Sequence, residues 1–422
     1  MPRDKVIVKS PFFYGWYVLT ASFFILFLYS GARFAIGVAF KPMLAEFGWN
    51  RSAISLAYFL NMTCYALTIS FVGRWYDRYG PKWVIIITTL FLFTGCASLS
   101  FITAYWQFLV AYGILFGVGL GGPSTSLFAS LASKWFDKGR GMAVSIGISG
   151  SCIGQFALVP FFTLLVLHYG WGASYFWIGL SMLVVNVPLA LWVIKGNPAD
   201  LGLRPFGSGE VEKGEDPRVN SVNHVESRDL GIRDAMRTGS YWFLVVMMFI
   251  CGSGDFFVTT HLIPYVTDHG ISPTTAGHML AWFGLMSFGG VIVAGPVSDR
   301  IGNRIPIALT FVIRIFLFLM VLMYQNSISF YVFALVFGFT FFISAALAPV
   351  MIGRLYGLSH VGILSGVATT VHHFGGGFWT FVGGWLFDQT GSYRATFILS
   401  AVTSLVALLC TLLIKEKRHQ AR

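Results

Sequence analysis

Charge is scarce in this chain. Only 11 % of its 422 residues are Asp, Glu, Lys or Arg, against about a quarter in an ordinary soluble domain. So few charges cannot cover a water-soluble protein of this size, which argues against a soluble enzyme or binding module. Cysteine is scarce too. Cys64, Cys96, Cys152, Cys251 and Cys410 all lie in apolar runs without metal-ligand spacing, so neither a disulfide framework nor a metal site is expected. No G-x-x-x-x-G-K-[ST] loop, H-E-x-x-H helix or G-x-S-x-G elbow occurs. The expectation is therefore a protein that is not an enzyme, holds no cofactor and draws energy from solute or ion gradients. The net charge of +11 does not point to nucleic acid, because Lys and Arg fall in short patches between apolar runs. The opening MPRDKVIVKSPFFYGWY is too short and too charged for a signal peptide, so the first apolar run is expected to stay in the chain.

Apolar sequence fills the space. Hydrophobic residues make up 56 % of the chain, Phe alone contributes 42, and the mean hydropathy is +0.73. A spanning helix needs about 20 mostly apolar residues. Twelve such segments can be drawn: 14–37, 51–73, 83–103, 106–133, 140–167, 172–194, 241–267, 273–297, 304–323, 328–352, 360–386 and 392–414. The stretch 195–238 is polar, rich in Gly, Pro and mixed charge, and reads as a solvent-exposed, partly disordered linker. The organisation is thus six spans in 1–194, a linker over 195–238, and six spans in 239–422, an all-α membrane protein surrounded by lipid. Arg74, Arg78, Lys82, Lys134, Lys138, Arg140, Arg300, Arg304 and Arg354 gather on one side with both termini and the linker; only Lys41, Arg51 and Arg394 lie on the other. The basic side is expected to be cytoplasmic, with the protein multi-pass in the inner cell membrane.

The halves repeat. Gly73, Asp77, Arg78 and Gly80 form G-x-x-x-D-R-x-G, and Gly295, Asp299, Arg300 and Gly302 form it again 222 residues later (295 − 73). Both copies follow the second span of their half. Their glycines allow helices to approach, and their Asp and Arg can pair across a helix end as a cytoplasmic gate. The same offset joins Pro42 to Pro264, Trp171 to Tyr393 and Arg33 to Asp255. Parallel repeats related by an axis along the membrane normal place a substrate site between them near the midplane.

The doubled loop motif resembles that of the major facilitator superfamily. Within it the chain resembles the monocarboxylate transporters and their bacterial relatives. The likeness rests on Gly15-Trp16, Gly37 to Pro42, Phe47-Gly48-Trp49 and Ser52. It continues through Gly117 to Gly121, Lys134-Trp135-Phe136, Arg140 to Ala143, Gly147, Gly150, Gly154, Pro160 and Gly170-Trp171. A third stretch runs from Gly383 to Asp388 and on through Gly391-Ser392-Tyr393. The resemblance implies two six-helix bundles about a pseudo-twofold axis and transport of small carboxylates with a proton, or exchange of organic anions. It also implies a basic cavity residue in the first span, at or beside Arg33. The family's Asp and Arg pair in the eighth span is missing, since those places fall near Ser287 and Val291.

A charge inside a span costs roughly 2.5–3.5 kcal/mol on insertion scales, so each is a candidate for function. Arg33 can hold a carboxylate in a two-pronged contact, or be a structural ion partner. Asp255 can pair with Arg33 until substrate displaces it and it takes a proton, or bridge the halves permanently. His372 and His373 precede Gly375-Gly376-Gly377 in the eleventh span. Neighbours differ by about 100° around a helix, so one of them faces the cavity, where it can titrate or donate to an anion. Arg314, midway along the ninth span, reads as a structural pair or lipid contact, while His261 and His278 lie nearer the outer side. Tyr29, Asn61, Tyr65, Gln155 and Trp282 are uncharged candidates for binding substrate or for packing.

The reading is a monomeric secondary transporter for small organic anions, coupled to H+. The substrate set is Arg33, Tyr29, Asn61, Tyr65, Gln155, Trp282, His372 and His373, with Asp255 and His372 for the proton. The alternatives are an organic-anion exchanger, an exporter of hydrophobic compounds, or a membrane sensor that does not transport.

Overall fold

The computed structural model describes residues 13–208, 230–357 and 359–415. Ten of its helices are long and apolar enough to cross a membrane. One of them, Arg51–Leu99, is two legs joined at Gly80, whose φ of 77° and ψ of 169° break the helix. Val361–Thr390 adds a further 30-residue helix, less apolar because it carries two histidines and a run of glycines. Splitting the one and adding the other takes ten to twelve crossings. Span 1 is Gly15–Phe47, spans 2 and 3 are the legs 51–79 and 81–99, span 4 is Tyr105–Trp135, span 5 Arg140–Tyr169 and span 6 Trp171–Val193. Spans 7 to 12 are Gly239–Asp268, Pro273–Ile301, Arg304–Met323, Ser327–Tyr356, Val361–Thr390 and Arg394–Leu413. A helix of 30 residues is about 45 Å long, more than the roughly 30 Å of hydrocarbon, so the longer spans tilt or project.

Bilayer lipid offers no hydrogen bonds, so each span must satisfy its own backbone. Breaks are therefore informative. Span 4 winds as a π-helix over Leu109–Phe116 and is interrupted between Leu120 and Thr125. Span 10 breaks between Thr340 and Ile343. The Asn61 side-chain amide donates to the Tyr112 carbonyl at 2.6 Å inside the π-helical stretch. These fourth spans break at matching places in the two halves. The repeat also shows in the backbone: Gly80 and Gly302 have φ of 77° and 84°, and Gly48 and Gly270 have 65° and 81°. Both pairs are 222 residues apart (302 − 80 and 270 − 48). Each loop motif ends at a corner in the conformation that glycine alone takes without strain.

The expected linker, 195–238, lies outside the described residues over the stretch 209–229. Its ends are folded: Pro198–Leu201 is a short 3-10 turn, and Phe206 exchanges backbone bonds with Trp135 and Lys138 at 2.9 and 3.0 Å. Ile232–Met236 is a short helix leading into span 7. Two apolar cores result. A large one runs through the first half and the outer part of the second. A smaller one fills the inner end of the second half around Tyr241, Phe311 and Met351.

Candidate substrate chamber and outer closure

"Inner" here means the face carrying the G-x-x-x-D-R-x-G loops, and "outer" the opposite face. Arg33 stands between the halves. Its guanidinium carbon lies 5.3 Å from the centroid of Tyr65 in span 2 and 5.3 Å from that of Phe256 in span 7. The Phe34 ring is 5.8 Å away. Cation–ring contacts of this kind contribute up to about 2 kcal/mol when desolvated, but they do not neutralise the charge. No carboxylate lies within ion-pair distance of Arg33 among the described residues. Its Nε and the Tyr29 hydroxyl are both buried without a hydrogen-bond partner. The His373 ring sits 4.6 Å from Tyr65 and 5.4 Å from Phe256. Its Nδ1 donates to the Thr369 carbonyl at 2.8 Å, which leaves Nε2 as the nitrogen able to accept or take up a proton.

Asp255 does not meet Arg33, although the two occupy equivalent places in the repeat. It is buried within its own half, where Arg314 Nη2 lies 2.6 Å from Oδ1. That contact is a close charge pairing and not a well-aligned hydrogen bond. His372 Nε2 stands 3.2 Å from the other carboxylate oxygen, and the Cys251 thiol donates to it at 3.4 Å. Arg314 also donates from Nε to Thr340 Oγ1 and from Nη2 to the Thr340 carbonyl, both at 3.2 Å. It thus serves the backbone freed where span 10 breaks, and Asp255 balances its charge. The expected Arg33–Asp255 exchange is corrected accordingly: the Asp255 partner is Arg314. Cys251, Asp255 and His372 bring ligand-type atoms within 4.8 Å of one another, but the guanidinium on Asp255 already supplies the positive charge that a metal ion would bring.

The remaining candidates divide. Tyr29, Tyr65 and His373 join Arg33 in one group, while His372 belongs with Asp255. Asn61 is spent on the Tyr112 carbonyl. Gln155 donates to the Leu280 carbonyl at 3.1 Å, a buried contact between the halves. Trp282 packs on Phe156 and is 41 % exposed, so it does not stand in the Arg33 group. In the second loop motif Asp299 pairs with Arg354 of span 10 at 3.6 Å, not with Arg300. Asp77 and Arg78 of the first make no ion pair among the described residues.

Sequence reasoning passed over the outer closure. Asp268, at the end of span 7, is held by Lys41 at 2.6 Å and by Arg51 at 2.7 Å, both from the first half. Arg51 Nη1 donates to the Tyr393 hydroxyl at 2.8 Å, and its guanidinium lies 3.6 Å over the Phe387 ring. Tyr393 in turn lies 2.7 Å from His261 Nδ1. The backbone amides of Arg51 and Ser52 donate to Asp388 at 3.1 and 2.8 Å. The available signal was Lys41 and Arg51, two cations on a face poor in them.

The interface is tight outside and loose inside. A methyl placed on Gly37, Gly377 or Gly384 would stand 2.5–2.9 Å from Thr259, Phe59 or Ser55 of the opposite half. On Gly73, Gly289, Gly295 or Gly366, toward the inner ends, it would meet nothing within 4 Å. The close approaches at these glycines between the halves thus lie toward the outer end and the middle of the spans.

Twelve crossings among the described residues, in two repeated halves with Arg33 set between rings of both, define a major facilitator fold. The Major Facilitator Superfamily model matches residues 22–378 and again 244–422, and the chain belongs to that superfamily. It is 27 % identical to the MFS-type transporter YcxA of Bacillus subtilis over 96 % of this chain and 98 % of that one. It is 23 % identical to monocarboxylate transporter 13 of Bos taurus, covering 92 % and 86 %. Among solved structures it superposes on a D-xylose-proton symporter with a TM-score of 0.74 at 14 % identity, covering 96 % and 98 %. A bacterial homologue of the human lysosomal transporter Spinster gives 0.72 at 14 % identity, covering 96 % and 97 %.

Proposed function

We propose that this chain is a secondary active transporter for small organic monoanions, coupled to protons and working by alternating access. The observation that carries this reading is the uncompensated Arg33 guanidinium. It lies between rings from both halves and has no carboxylate within ion-pair distance among the described residues. A cation so placed costs a few kcal/mol unless an anion joins it, and a carboxylate matches its fork of donors. One fixed cation suits a single negative charge, and the Tyr65, Phe256 and Phe34 rings suit an apolar body behind it. The buried Asp255–His372 contact, 3.2 Å from Nε2 to the carboxylate, is the proton site in this reading. Positive residues on the inner face favour that face, with both termini, as cytoplasmic. The monocarboxylate transporters among the relatives agree in substrate class.

The test is uptake of radiolabelled lactate into proteoliposomes under an inward proton gradient. Acid-stimulated uptake that Arg33→Ala abolishes supports the proposal. Uptake that appears only against preloaded anion would favour exchange. Undiminished acid-stimulated uptake by Arg33→Ala would overturn the assignment of the anion site.

A further inference from the structure

The helix of span 2 starts without a cap of its own. Its first amides have no partner within the helix, as at every helix N-terminus. Asn50 occupies the cap position in extended conformation, with φ of −80° and ψ of 161°, yet its side chain makes no capping bond. Asn is among the strongest residues at that position. The amides of Arg51 and Ser52 instead donate to the Asp388 carboxylate at the outer end of span 11. The negative charge also lies at the positive end of the helix dipole.

The geometry points to a cap that changes hands during the transport cycle: Asp388 caps span 2 from across the interface while the outer side is closed, and Asn50 caps it when the halves part. The two caps compete for the Ser52 amide, which Asp388 holds here and which a cap side chain at Asn50 serves, while the Ala53 amide already goes to the Asn50 carbonyl. The rest of the closure points the same way. Arg51 leaves the end of span 2 to meet Asp268 and Tyr393, again from the opposite half. Parting the halves therefore strips Arg51 of its partners and frees the amides in one movement. Asn50 is exposed and needs only a side-chain rotation to reach them. The exchange keeps span 2 capped in both states, which lowers the cost of opening while leaving the closed state specific. It concerns the gate alone and does not depend on which solute is carried.

The test reads outer opening by thiol labelling. Thr260 is buried at the interface, one turn outward of Phe256, and its carbonyl lies close to Gly37. Thr260→Cys is labelled with a membrane-impermeant methanethiosulfonate added to right-side-out vesicles. The rate is read as the increment over the chain with its native cysteines only. Asn50→Ala should lower that increment about fivefold, the factor corresponding to about 1 kcal/mol of lost capping. Asp388→Ala should raise it by a similar factor. Asp388→Asn, which keeps an acceptor oxygen, should stay closer to the parent than Asp388→Ala does. Unchanged or faster labelling in Asn50→Ala overturns the exchange, and since Asn50 is exposed this variant remains informative should Asp388→Ala fail to fold.

Discussion

Arg314 and Asp255 form a buried ion pair, 2.6 Å between Nη2 and Oδ1, that joins span 9 to span 7 inside one half of the protein. Both side chains are about 1 % exposed. Arg33, at the place equivalent to Asp255 in the repeat, has no such partner among the described residues. The buried Arg314 is therefore structural, and the half-buried Arg33 is available.

Removing Arg314 should destabilise the fold. Breaking one side of a buried pair costs about 3–5 kcal/mol because a charge is left without compensation. Arg314→Ala also unpairs the Thr340 carbonyl. Purified Arg314→Ala should melt well below the parent in a thermal scan, and joining it to Asp255→Ala should recover part of the loss.

Arg33→Ala should behave in the opposite way. It removes a cation with no counter-charge, so the melting temperature should hold or rise while lactate uptake is lost. A fall in melting temperature like that of Arg314→Ala would show that Arg33 holds the fold together.

His372→Gln should uncouple transport from the proton. Accumulation driven by an inward proton gradient should be lost, while counterflow between equal concentrations of labelled and unlabelled lactate should continue. His372 is a cleaner target than Asp255, since Asp255→Asn leaves Arg314 unbalanced. Full accumulation by His372→Gln would place the proton elsewhere.

Two glycines of one motif should respond differently. Gly80 has φ of 77° with nothing near it, so Gly80→Ala should cost about 1 kcal/mol or more from the backbone alone. Gly73 is helical and open in this state. Gly73→Ala should leave stability unchanged or raised, by up to about 1 kcal/mol. It should nonetheless slow transport, because the inner ends must approach one another in the opposite state. Thermal scans and initial uptake rates on the same preparations check both.

The spans and the doubled loop motif are legible because hydropathy and a fixed offset depend only on order along the chain. Boundaries were less so. Hydropathy ends span 1 near residue 37, whereas the helix runs to Phe47 and carries Lys41 and Pro42 within it. Arg33 was legible as a charge in an apolar run. The partner of Asp255 was not, because it depends on which face of span 9 meets span 7 and on the carbonyl freed at Thr340. The outer closure was the least visible part. Arg51 meets residues 217 and 337 positions away, and only the packing of the two halves brings them together. For Asn61 and Gln155 the sequence leaves substrate binding and packing both open; the backbone carbonyls that occupy them are not visible in it.

The twin corners at Gly80 and Gly302 give the molecule an internal control of its own making. A change introduced at one can be repeated at its counterpart within the same polypeptide, under identical lipid and expression conditions. Any difference between the two outcomes measures how far a once-duplicated unit has divided its labour.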